Sequence, residues 1–185
     1  MNSRLRRNIA LGVLGAIALI LRQFDFPLIP VVLFLKFDFS ELSLLVGGWI
    51  AGFPGILIVA GIRDTLNFMM TGGQMGIPVG AITAFIASAT YFSVYYYYEK
   101  RAQSQPFKGL PIVQGLLATL ALTVSMMIVN YCFALPMYAK LFNFDVGPMK
   151  DYMLYLLIPF NFLKGFIVTV GLYLMKKALG TRFGQ

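Results

Sequence analysis

The chain has 185 residues, of which 59% are apolar, 15% aromatic and only 12% charged, about half the charge of an ordinary soluble domain. Lys and Arg number 15 against 7 Asp and Glu, a net charge of +8, with no histidine and one cysteine, Cys132. These numbers exclude a disulfide framework, a His/Cys metal site and a histidine-based catalytic centre, and the long uncharged segments exclude the basic face of a nucleic-acid binder.

At about 20 residues per span, the length suits an all-α membrane protein. The expected form is a compact bundle of six transmembrane helices making one membrane domain over 1–185, with no catalysis, cofactor or metal. Met1 to Arg7 carries Arg4, Arg6 and Arg7 ahead of the apolar run Ile9 to Leu21. That run ends in Ile20-Leu21-Arg22-Gln23 without a small-residue cleavage site, so it reads as a first membrane helix and not as a signal peptide. Along it, Asn8, Gly12 and Ala16 recur every four residues beside Gly15. Such a stripe lets another helix approach closely, from within the bundle or from an external partner.

Phe24 to Ser40, broken by Pro27 and Pro30 and carrying Asp25, Lys36 and Asp38, reads as a structured loop dipping into the membrane surface. Its phenylalanines, Phe24, Phe26, Phe34, Phe37 and Phe39, suit stacking on a ligand ring or insertion among lipid headgroups. A second helix starts at Ser40, with Asp38, Ser40 and Glu41 as capping oxygens. Gly52-Phe53-Pro54-Gly55 makes a tight turn, with Pro54 opening a third helix that ends near Met70. Thr71 to Gly76 connects to a fourth span, Pro78 to Tyr98, followed by the polar stretch Glu99 to Gly109. Leu110 to Leu135 is the fifth span and Asp151 to Lys177 the sixth, with an amphipathic loop between them. Tyr95 to Tyr98 reads as an interfacial belt, Trp49 as core or belt, and Cys132 as a small buried filler.

The termini and the Glu99 to Gly109 stretch share one side, holding nine basic residues: Arg4, Arg6, Arg7, Lys100, Arg101, Lys108, Lys176, Lys177 and Arg182. The other side has four, Arg22, Lys36, Lys140 and Lys150, among five acids that include Asp145. The positive-inside rule then puts both termini in the cytoplasm of a multi-pass cell-membrane protein, with the basic collar facing anionic lipid.

Arg63, Asp64 and Lys164 are left inside spans, where ionisable groups face a partner or a cavity. Arg63 shares a helical face with Asn67, and Asn161 shares one with Lys164, while Asn130 lies toward the outer end of the fifth span. Arg63 can pair internally with Asp64 or Glu41. Lys164 has no acid in its own span, which favours a ligand at Asn130, Asn161 and Lys164. A stand-alone proton-coupled carrier using Asp64, and a ligand-free assembly protein, are the alternatives.

Four strings occur in order: Lys36-Phe37-Asp38-Phe39-Ser40-Glu41, Gly76-Ile77-Pro78-Val79-Gly80, Asn130-Tyr131 with Leu135-Pro136-Met137-Tyr138, and Ile158-Pro159-Phe160-Asn161-Phe162-Leu163-Lys164-Gly165. On these the chain resembles a bacterial S component of an energy-coupling factor (ECF) transporter, of the riboflavin type, over nearly its whole length. The resemblance implies high-affinity binding of a water-soluble vitamin and its import with a transmembrane coupling protein and two cytoplasmic ATPases. It implies ligand contacts at Asn130, Asn161 and Lys164 and a first loop around Leu33 to Phe39 that closes over them; Arg63 and Asn67, from their shared intramembrane face, and Phe37, from its place in that aromatic loop, are further candidate ligand-binding residues. Gly12 and Ala16 would meet the coupling protein. The chain departs from the riboflavin pattern in having Glu41 for Asp, Arg63-Asp64 for Lys-Asn and Ala84-Phe85 for Asn-Phe. Pantothenate, whose carboxylate a guanidinium can hold in two bonds, and a pyrimidine or pyridoxine vitamin therefore stand beside riboflavin.

Overall fold

The computed structural model describes residues 2–29, 35–73, 76–104, 110–142 and 147–179. Leu33 and Phe34 of the first loop, Gln74 and Met75 of the connector, and Lys108, Asp145 and Arg182 of the charge count lie outside those residues. Asn2 caps the first helix, α1 (Ser3–Arg22), by accepting the Arg4 N–H at 3.2 Å. α1 buries Leu11, Gly15 and Ala18 and turns Ile9, Val13, Ile17 and Ile20 outward. The first loop forms a minimal hairpin of β1 (Phe26–Pro27) and β2 (Lys36–Phe37), with Phe26 opposite Phe37. A Lys36–Asp25 ion pair at 2.9 Å ties it together.

α2 (Glu41–Thr71) is a helical segment broken at Ala51 and Gly52. Gly52 takes φ 67°, ψ −161°, a conformation open in practice to glycine alone. The arms 41–50 and 53–71 fold back on each other so closely that a Cβ on Gly47 would stand 3.0 Å from the Gly55 carbonyl oxygen. This is the helix–turn–helix the sequence predicts, with Pro54 in the first turn of the second arm.

α3 spans Val79–Ser104. α4 (Leu110–Val129) then runs through a π-helical stretch, Asn130–Ala134, into α5 (Leu135–Phe142), so much of the expected amphipathic loop is helix. α6 (Met149–Asp151) likewise passes through a second π stretch, Tyr152–Leu157, into α7 (Ile158–Leu179). Each π stretch ends two residues before a proline, Pro136 or Pro159. Proline lacks the N–H that continues an α-helical ladder, and just ahead of each one the bond reaches five residues back, from Leu135 N to Asn130 O and from Ile158 N to Met153 O.

Among the described residues, Glu41–Thr71, Val79–Arg101, Pro111–Leu141 and Met149–Leu179 are long and apolar enough to cross a membrane. α4 shows how they meet lipid: Ile112, Leu116, Leu120, Val124 and Ile128 form an exposed stripe at four-residue spacing, while Ala118, Leu122 and Met126 are buried on the other side. α4 and α7 interlock through two glycine–threonine contacts. A Cβ on Gly165 would stand 2.8 Å from Thr119 Cβ, and one on Gly115 would stand 3.1 Å from Thr169 Cβ. Two expectations are corrected. Cys132 is exposed, because it stands two residues from both buried Asn130 and buried Ala134 and so on the opposite side of the helix, and Tyr95 is a core residue stacked on Tyr91 at 5.9 Å, leaving Tyr97 as the outward tyrosine.

Candidate functional site

The intramembrane charges form one chain of alternating sign. Arg63, only 2% exposed, donates to Ser40 Oγ at 2.7 Å, Ser88 Oγ at 2.9 Å, and both Asp64 oxygens at 2.9 and 3.0 Å. Neighbouring side chains on a helix point about 100° apart, so the long arginine curls back to reach Asp64. Asp64 Oδ1 also accepts from Arg22 Nη1 at the end of α1. Ser88 Oγ donates to Glu41 Oε1 at 2.9 Å, and that oxygen lies 3.7 Å from both Arg63 Nη1 and Lys164 Nζ. Lys164 therefore does have an acid, supplied by the first turn of α2 and not by its own helix. Glu41 Oε2 is buried without a hydrogen-bond partner, an acceptor that a ligand N–H or a water can satisfy. Beside Lys164, burial pushes the half-buried Asp38 carboxyl up, but Lys164, Ser40 and Arg63 outweigh it and hold the group below the usual carboxylate range.

Arg22, Asp38, Glu41, Arg63 and Lys164 of this network line a cavity of about 770 Å³. Of the residues that line it, Glu41 and Arg63 are buried, Arg22, Asn67 and Lys164 are partly buried, and Gln23 and Lys36 are exposed. Leu35, Phe68, Met126, Leu157 and Phe160 supply apolar wall, and Tyr138 and Tyr152 also line it, Tyr152 packing in one cluster with Leu35 and Leu157. Asn130 opens the first π stretch, and Asn161 lies in the first turn of α7, just past the second. Asn130 Nδ2 donates to Met126 O and Asn161 Nδ2 to Leu157 O, each at 2.8 Å. That bond fixes each amide while leaving a second N–H and a carbonyl oxygen for a ligand. Apolar walls with a few fixed polar groups, in a volume of this size, suit a small heterocyclic ligand.

Five residues chosen from the sequence, Asn130, Asn161, Lys164, Arg63 and Asn67, line this one cavity. Phe37 does not: it is buried, packed edge-on against Phe26 at 5.7 Å and Phe39 at 5.3 Å, and serves the hairpin. Ala84, where the riboflavin pattern has Asn, does line the cavity. Gly12 and Ala16 are remote from it. A Cβ on Gly12 meets nothing within 4 Å and Ala16 is exposed, whereas Gly15 is pressed against Ile62. Sequence reasoning missed Arg22, which it put in the outer charge count, and Ser88. The available signal was Asp64, an intramembrane acid beside one arginine with room for a second cation.

Known proteins resemble this chain in sequence and in fold. A family profile described as "ECF transporter, substrate-specific component" matches residues 6–175. The riboflavin transporter RibU of Streptococcus thermophilus is 33% identical over 169 residues, covering 89% of this chain and 78% of that protein. RibU of Staphylococcus aureus is 31% identical over 178 residues (94% and 90%), and the riboflavin transporter FmnP of Bacillus subtilis is 29% identical over 170 residues (90% and 88%). A solved structure of the S component of a bacterial ECF transporter superposes with a TM-score of 0.77 at 28% identity, covering 95% of this chain and 96% of that one.

Proposed function

The chain belongs to the family of substrate-specific (S) components of ECF transporters, multi-pass membrane transport subunits and not enzymes, and from that membership we propose that it is the riboflavin-binding subunit of an ATP-driven importer. In this reading a transmembrane coupling protein and two cytoplasmic ATPases complete the importer. α1, the two arms of α2, α3 and the helices 110–142 and 149–179 make a six-helix bundle forming one membrane domain over 1–185. Both termini are cytoplasmic, on the side with nine basic residues against four. The cavity then opens outward, covered by the hairpin loop whose Leu35, Lys36 and Asp38 line it.

The observation that carries the reading is the convergence of Asn130, Asn161 and Lys164 on one cavity with apolar walls. The isoalloxazine ring is flat and apolar on its faces, with one N–H donor between two carbonyl acceptors on one edge. Two amides, an ammonium and the open Glu41 oxygen match that edge. Pantothenate fits less well, because the Arg63 guanidinium is already held by Ser40, Ser88 and Asp64. Gly12 and Ala16 on the outer face of α1 are the surface for the coupling protein.

Quenching of riboflavin fluorescence by the purified chain tests the assignment. Folded Asn161→Ala and Lys164→Ala proteins should both bind riboflavin more weakly, and unchanged affinity in both removes the site. Mass spectrometry of the purified protein should find a stoichiometric flavin, and a preparation that neither carries nor takes up a small molecule favours the assembly-protein alternative.

A further inference from the structure

Every cation in the cavity wall faces an acid. Arg22 and Arg63 share Asp64, Lys36 bonds Asp25, and Lys164 stands between Glu41 and the nearby Asp38. Among the described residues, three acids of the wall, Asp25, Asp38 and Glu41, together with Asp64 behind it balance the four cations of the wall, and the cavity is electrically neutral only with Asp64 counted. A wall of matched pairs disfavours an anionic ligand, which must pull a cation from its partner and leave a buried carboxylate uncompensated.

We propose that Asp64 is a specificity-determining residue that keeps the cavity neutral, so that it selects the uncharged vitamin over its anionic forms, the phosphate monoester above all. This rests on the riboflavin reading above and adds to it. Asp64 is not itself in the cavity wall. It lies behind Arg22 and Arg63, both of which are, and bonds both guanidiniums. Arg22 comes from α1 and has no other acid partner among the described residues. Removing the Asp64 charge therefore uncovers positive charge on two wall residues at once. A volume of about 770 Å³ equals a sphere about 11 Å across, so a group at its centre lies about 6 Å from the wall, within the screening length of about 8 Å in physiological salt. A phosphate at either end of the ligand would feel the change.

The test uses the full chain purified in detergent, titrated with riboflavin and with riboflavin 5′-phosphate at low and physiological salt. The two flavins share the ring, so the ratio of their Kd values cancels changes in ring contacts and reports the charge. The wild type should bind riboflavin more tightly. Asp64→Asn should move the ratio toward the phosphate by about tenfold, with the gain fading as salt rises, and Asp64→Glu should keep the wild-type ratio. Arg22→Gln, which leaves the cavity net negative, should move it the other way, and it carries the test if Asp64→Asn does not fold. A wild type that prefers the phosphate, a ratio unmoved in the folded variants, or a ratio shifted equally by Asp64→Glu overturns the proposal and leaves the riboflavin site standing. A wild type that binds neither flavin overturns the functional reading itself.

Discussion

Glu41 Oε1 stands 3.7 Å from Lys164 Nζ and equally far from Arg63 Nη1, so one carboxylate at the start of α2 holds cations from both the second arm of α2 and α7. Glu41→Gln leaves both cations without it. Breaking a buried ion pair from one side costs about 3 kcal/mol or more, so a lowered Tm of the detergent-solubilised protein is expected. A Tm equal to wild type would mean that Glu41 does not hold the two helices together. Ser88→Ala, which removes the donor to Glu41 and an acceptor of Arg63, should act in the same direction with a smaller effect.

Asn130 and Asn161 are each anchored by a single bond to the carbonyl four residues back. Replacing either with alanine should cost riboflavin affinity about tenfold, the value of one well-made hydrogen bond inside a site. Because the lost bond is local, Tm without ligand should change little. Isothermal titration of each variant beside a melting curve separates the two effects, and equal losses in both would make the amides structural.

Gly165 faces Thr119, and there is no room for a methyl group between them. Gly165→Ala should destabilise by about 1–3 kcal/mol through overpacking, read as a fall in Tm. Adding Thr119→Ala should recover part of it. A double variant no better than the single one would show that the crowding arises elsewhere.

The outer face of α1 separates two roles one residue apart. A bulky residue at Gly12 or Ala16 should abolish copurification with the coupling protein while sparing riboflavin affinity. Gly15→Val, which collides with Ile62, should instead lower Tm. Loss of vitamin binding in the Gly12 or Ala16 variants would put the stripe inside the bundle.

The Asp38 carboxyl titrates below its ordinary value because Lys164, Ser40 and Arg63 favour the ionised form more than burial opposes it. A depressed folded pKa contributes stability that is fully present above the unfolded value of about 3.9 and is lost as pH falls through the folded value. Wild type should therefore melt above Asp38→Asn from neutral pH down to about 5, and the gap should narrow progressively as pH falls below about 4. A gap that stays constant through this range would assign Asp38 a purely steric role.

Composition and local chemistry made the spans and most of the polar site residues legible in the sequence. Gly52 and Pro54 mark the break in α2, the uncharged runs mark the spans, and Arg63, Lys164 and the two asparagines stand out because polar groups are costly in lipid. Features that depend on helices meeting left no such trace. Glu41 and Arg22 were counted with outer loops, since nothing along the chain says that the start of α2 faces α7 or that the end of α1 reaches Asp64. The π stretches escaped because a bond to the fifth residue barely alters hydrophobic spacing, and the prolines two residues on were their only mark. Phe37 misled for a related reason: alternation in a short strand cannot tell whether a ring faces a ligand or its own hairpin.

Cys132 is the sole cysteine of the chain, exposed on a π turn two residues from Asn130. A thiol-reactive nitroxide or fluorophore can thus be attached at one defined point of the otherwise unaltered protein. Placed on the outside of the turn whose inner side carries Asn130, such a reporter makes filling of the cavity visible as a change in label mobility, in detergent or in a bilayer.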